Sequence, residues 1–165
     1  MALYISTNGA MPTTAAQAPL ATGTAIKTHQ QLATPSTNTI DIVAFGVEFA
    51  TALTVPATIE LIETDVAATV TAHVAAGVQP YGARAIGGAS KLTLGTAAAG
   101  YNASAEGAIT ATRYGKYKII PIGATEMEWE WTPGREWTVQ RSKFCRIRIS
   151  TGVTINVLTW LLWDE

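Results

Sequence analysis

From Thr24 to the C-terminus the sequence is a succession of short runs whose side chains alternate in character, cut apart by glycine, proline, asparagine and serine. Alternation with period two places successive side chains on opposite faces of a strand. Many short strands at this spacing make a sandwich or a barrel. The predicted fold is therefore all-β, an antiparallel β-sandwich. At 165 residues the chain falls in the single-domain range and can hold a normal hydrophobic core without staples.

The individual runs carry different messages. Residues 2–6 form a short apolar strand candidate that ends at Asn8-Gly9, and residues 26–32 form a polar one. In the run 39–50, Val43, Phe45, Val47 and Phe49 share one face while Ile40, Ile42 and Ala44 share the other. A strand apolar on both faces is central or covered on both sides. A further strand follows Pro56, and strand character returns between Ile109 and Ile120. Residues 65–76 fit either a strand or a helix, because Val66, Val70 and Val74 are four apart and Gly77 suits a helix end. The valine and threonine content favours the strand. Met127, Trp129 and Trp131 alternate with Glu126, Glu128 and Glu130, and Thr132-Pro133-Gly134-Arg135 then turns the chain towards Trp137 and Val139. This reads as a hairpin with tryptophans on the core face and glutamates on the other, the latter facing Arg146 and Arg148 of a neighbouring strand. The last run, 153–163, ends apolar on both faces, as a central strand or a subunit interface does. Two segments lack such order. Residues 10–23 are rich in alanine, threonine and proline, an extended arm that with the first strand makes up residues 1–23, ahead of a sandwich domain at 24–165; stretched out, its fourteen residues reach about 46–50 Å. Residues 82–107 read as a long loop of glycine, alanine and serine, with a possible short strand at 91–94.

Composition narrows the partners. Charged residues make up 14% of the chain, against about 25% in a typical soluble domain. Interfaces are depleted in charge, and a surface of threonine, serine, alanine and glycine has the same effect. The net charge of -1 lacks the basic face that nucleic-acid binding needs. No apolar run is long enough for a membrane-spanning helix, and the N-terminus lacks the basic-then-apolar order of a secretion signal, so synthesis in the cytosol is expected. The single cysteine, Cys145, forms no intrachain disulfide and is expected as a buried small hydrophobe.

The residue patterns of catalysis and metal binding are missing, and no enzyme activity, cofactor or metal is expected. His29 and His73 have no ligand-spaced partners and read as surface or hydrogen-bonded residues. No Gly-x-Ser-x-Gly elbow occurs. The Gly82–Lys91 stretch lacks the ending of a phosphate loop. Glu126, Glu128 and Glu130 lack calcium-loop geometry and read as a solvated face. Asn102-Ala103-Ser104 matches a glycosylation acceptor but carries no weight without a secretion signal. A sugar-stacking role for the tryptophans competes with a core role, which the alternation favours.

Taken together, the Pro/Ala/Thr arm at 10–23, the stretch 37–47, the Thr/Val run at 69–74 and the short apolar C-terminal strand resemble small jelly-roll virion proteins of tailed bacteriophages, the capsid decoration or cement class. The resemblance covers most of the chain and rests on texture rather than on an invariant motif. It implies a jelly-roll-like sandwich on the capsid surface of the virion, made in the host cytoplasm. The implied partners are the major capsid protein and further copies of the chain, with a trimer favoured, and neither nucleic acid nor membrane. Candidate protein–protein contacts are Pro12, Pro19, Leu20, Tyr101, Trp160, Leu162 and Trp163. The competing expectation is a carbohydrate- or receptor-binding jelly-roll module of a phage tail or fibre, which would expose its tryptophans.

Overall fold

The computed structural model describes residues 2–10, 14–82, 88–95 and 99–165. In chain order the strands are β1 (Leu3–Thr7), β2 (Leu20–Ala21), β3 (Lys27–Ala33), β4 (Ile40–Phe49), β5 (Ala57–Thr64) and β6 (Thr69–Ala72). A 3₁₀ turn (Ala75–Gly77) precedes β7 (Val78–Pro80), β8 (Gly100–Ala105), β9 (Thr112–Ile120), β10 (Glu126–Glu130), β11 (Trp137–Val139), β12 (Phe144–Thr151) and β13 (Asn156–Asp164). They form two antiparallel sheets. Sheet A has the order β10-β4-β13-β1-β7, with β11 also on β4 and β2 also on β13. Sheet B has the order β6-β8-β3-β12-β5-β9. The chain is an all-β sandwich, as its alternation predicts.

The core lies between the sheets. Leu32, Ile59, Leu61, Cys145, Ile147 and Ile149 fill it from sheet B, and Tyr4, Val157, Leu161 and Trp163 from sheet A. Strand β4 changes its inward parity part way along. Ile40 and Ile42 face the core at one end, and Phe45, Val47 and Phe49 at the other. The switch is a bulge: Leu162 pairs with Ala44 but Trp163 with Ile42, leaving Val43 as an extra residue. The apolar character of both faces thus has two causes, a central position between β10 and β13 and a shift of register within the strand.

Gln30 and Asn8 carry a paired polar layer inside the sandwich. The Gln30 amide donates to Ser6 Oγ at 2.6 Å, and its oxygen accepts from the Thr159 hydroxyl at 3.1 Å. Asn8 holds β13 by donating to the Val157 carbonyl and accepting from the Thr159 amide, both at 3.0 Å. A satisfied polar layer fixes how the sheets register, because any slip leaves buried groups unpaired.

Several expectations need correction. The tryptophan segment is not a hairpin. Both β10 and β11 pair antiparallel with β4, Glu126 to Glu130 along Glu48–Ala44 and Trp137 to Val139 along Ile42–Ile40. The Thr132–Arg135 turn, closed by the Arg135 amide on the Thr132 carbonyl at 2.9 Å, makes an excursion from one long edge and returns to it. Arg146 and Arg148 do not face the glutamates, because they lie on sheet B and pair with Glu106 and Glu60. Residues 82–107 are not all loop: Gly100–Ala105 is a strand between β3 and β6, while Leu94 makes only an isolated bridge to Ala99. Residues 69–72 are strand, as their valine and threonine content favours. Strand β1 lies between β13 and β7 in sheet A.

Both histidines are buried, and neither ring has a hydrogen-bond partner. Burial pushes His29 down to about 3, with Lys27 adding to the effect, and burial pushes His73 down to about 4. The unfolded chain takes up these protons near 6.5 while the folded one refuses them. Stability present at neutral pH should therefore fall as pH drops from about 6.5 towards 4, by at most about 1.4 kcal/mol per pH unit for each histidine. Urea unfolding between pH 7 and 4 checks this, and the double variant His29→Leu/His73→Leu should flatten the slope.

Candidate interaction face

The two outer faces of the sandwich differ. On sheet B, Arg146 points away from the core yet is fully buried, because chain segments cross over it. It donates to the Val66 carbonyl, to the Glu106 carbonyl at 2.9 Å and to the Glu106 carboxylate at 3.3 Å. Burial lowers the Arg146 pKa to about 10, opposed by the Glu106 charge. Gln31 accepts from the Ala68 amide at 2.8 Å, and Asp65 accepts from the Thr110 and Ala111 amides at 3.2 and 3.1 Å. Over β3 and β12 this face already has its cover, whereas along β9 Tyr114, Tyr117 and Ile119 stand exposed on it.

The outer face of sheet A is open. Because Thr159, Leu161 and Trp163 point inward, Leu158, Trp160 and Leu162 point outward. On β1, Tyr4 and Ser6 point inward, leaving Leu3, Ile5 and Thr7 outside. The β4 bulge turns Val43 and Ala44 to the same side. All of these outward residues except Leu158 line a groove of about 580 Å³, bounded at one end by Tyr81 and at the other by Glu130. Gly46 sits directly opposite Trp160 in the β4–β13 register, and a Cβ there would overlap the indole. The missing side chain lets the ring lie over the strand, an aromatic covering a glycine.

The acidic row borders this groove. Met127 is buried and Trp129 packs against the core, so Glu126, Glu128 and Glu130 face outward with Glu48, and all four are exposed. Glu126 stands directly opposite Glu48 in the pairing. Among the described residues none of the four forms an ion pair. Nor does any group of three His, Cys, Asp or Glu side chains gather to hold a metal.

The expected contact residues scatter. Trp160 and Leu162 meet in the groove. Trp163 is fully buried, stacked on Tyr4 at 6.0 Å, and so is core rather than surface. Tyr101 is half-buried on β8, 5.1 Å from the His73 ring and far from the groove in the strand order. Pro12 lies outside the described residues. Pro19 is exposed, and Leu20 pairs with Val157 at the start of β13. Gln17 donates to Thr7 at 2.6 Å, so residues 17–21 lie along their own domain. Trp129, Trp131 and Trp137 are half-buried against the core. Leu3, Ile5, Val43, Ala44 and Tyr81 escaped the sequence reading. The outward parity of residues 3, 5 and 7 could have found the first two, whereas the bulge that turns Val43 and Ala44 out has no local signature.

Gly46→Val should force the Trp160 ring off β4. The expected result is a red shift of tryptophan emission and a loss of about 1–3 kcal/mol, the usual cost of overpacking, read by fluorescence and urea unfolding. No helix among the described residues is long and apolar enough to cross a membrane. Comparison with family models, with curated proteins and with solved structures finds no match.

Proposed function

We propose that this chain is a virion structural protein, a capsid decoration or cement protein that stabilises a phage head through protein–protein contacts made by the outer face of sheet A. The observation that carries the reading is the open apolar groove around Trp160 and Leu162 in the middle of sheet A, where the middle of sheet B is crossed by the segments that Arg146 holds. The strand order supports a jelly roll: β1-β13-β4-β10 in one sheet and β3-β12-β5-β9 in the other, with the chain passing repeatedly between them. The proposed partners are the major capsid protein and further copies of this chain. The mechanism is passive, since apolar area removed from water contributes roughly 25 cal/mol per Å² before the costs of association are subtracted.

Antibody labelling of virions in the electron microscope tests the assignment. Label on the head surface is expected, label on tail fibres would move the chain to a receptor-binding role, and unlabelled particles would sink both. Leu162→Arg should leave the melting temperature within a few degrees, as outward substitutions do, yet remove the protein from heads in co-sedimentation.

A further inference from the structure

The groove has a chemical direction. It crosses β1, β13, β4 and β10 in that order, and it is apolar at the β1 and β13 end, where Leu3, Ile5, Trp160 and Leu162 lie. At the β10 end it meets Glu128 and Glu130, with Glu126 and Glu48 beyond. Like charges directly opposite each other destabilise a sheet. The pair Glu126 and Glu48 is one such case, and no cation among the described residues relieves it by an ion pair.

We propose that this groove receives an extended polypeptide segment of another protein, with apolar side chains at positions i and i+2 and a lysine or arginine at i+4. The inference rests on the proposed docking role of this face and adds the chemistry of the partner. Neighbouring strands lie about 4.8 Å apart, so β1 and β10 are separated by three spacings, about 14 Å. An extended chain rises about 3.3 Å per residue and presents every second side chain to the same side, so residues i and i+4 are about 13 Å apart. The two lengths match. The first apolar side chain then lies over Leu3 and Ile5, the second beside Trp160 and Leu162, and the cation reaches Glu128 and Glu130. A second copy of the same face fits poorly. It would set carboxylates against carboxylates, or bury them against leucine and tryptophan without a partner. Anionic membranes and nucleic acids meet the same carboxylates and are repelled.

The test uses two capped peptides built around leucine–threonine–leucine–threonine–lysine and leucine–threonine–leucine–threonine–glutamate, titrated into the full chain by isothermal calorimetry at low and high salt. The lysine peptide is expected to bind at least tenfold more tightly, with the preference shrinking as salt rises. Glu128→Gln/Glu130→Gln should weaken the lysine peptide about tenfold and leave the glutamate peptide unchanged, while Leu162→Ser should weaken both. Thermal melts of each variant confirm that it remains folded. Equal binding of the two peptides, or binding of neither, would overturn the proposal. So would concentration-dependent dimerisation that blocks the lysine peptide, since it would assign the face to a second copy. Head labelling without lysine preference would remove the partner chemistry and leave decoration standing. Lysine preference with unlabelled virions would keep the groove chemistry and remove the capsid assignment.

Discussion

The register of β4 against β13 is the constraint from which the rest of the sandwich follows. Both strands run through the middle of sheet A, and side chains on each must face the core. With Val43 inserted opposite the Leu162–Trp163 step, Ile40 and Ile42 can point inward beside Trp163 while Phe45, Val47 and Phe49 point inward beside Leu161 and Val157. Without the extra residue, one of these two sets would be turned to solvent. The same insertion pushes Val43 and Ala44 outward, next to Leu162. The apolar groove is therefore a by-product of the way the core is filled, and its position is fixed as firmly as the core itself.

The side of the sandwich where β9 lies along β10 and β11 is built against further strand pairing. Strand β9 is an edge of sheet B, with only β5 beside it, and edges of this kind recruit strands from other chains. Here Lys116 sets its ammonium 3.1 Å from the centroid of the Trp129 ring, and Arg113 lies over Trp137 at 5.1 Å. Gly115 bulges where Leu61 and Ile62 pair with Lys116 and Tyr114, and Trp137 fills the space that a side chain there would need. Glu63 ties the same side together by accepting from Arg113 at 2.7 Å and from the Gln140 amide at 2.7 Å. Inward cations and a bulge make a poor template for strand pairing by another chain.

The fold class and most strands were legible because period-two alternation is local and strong in β4, β5, β10, β12 and β13. What escaped depended on distant parts of the chain. The sequence Gly100–Ala105 has little strand propensity, and it is a strand because Gly100 fits tightly against the Thr71 backbone and β3 lies on its other side. The excursion at 132–136 looks like a hairpin turn from within, since only the pairing of both flanks with β4 reveals one continuous edge. His29 and His73 look like surface residues in polar strands, yet the packing of neighbouring elements buries them without partners. At the candidate site, Trp160 and Leu162 were legible as contact candidates on an apolar C-terminal strand, though not separable there from Trp163, which is core. The company they keep was not, because Leu3, Ile5 and Ala44 come from strands far away in sequence. The glutamate row was recognised, but its expected partners lie in the other sheet, and that displacement turns a compensated surface into an uncompensated one.

The low charge of the chain gains a specific meaning from this asymmetry. Of the three ion pairs among the described residues, Arg146–Glu106 and Arg148–Glu60 lie on the outer side of sheet B and Arg113–Glu63 closes the side of the sandwich. Sheet B therefore uses its arginines to hold its own cover, with Arg146 reaching up to the Val66 and Glu106 carbonyls and Gln31 holding Ala68. Few charges remain for sheet A, and those present are all of one sign beside apolar side chains. A face needed only for solubility would mix both signs. A face that must attract one class of partner and reject others keeps a single sign next to its apolar patch, because complementary charge sets specificity more than affinity. The distribution of charge, more than its total, distinguishes the outer side of sheet A from that of sheet B.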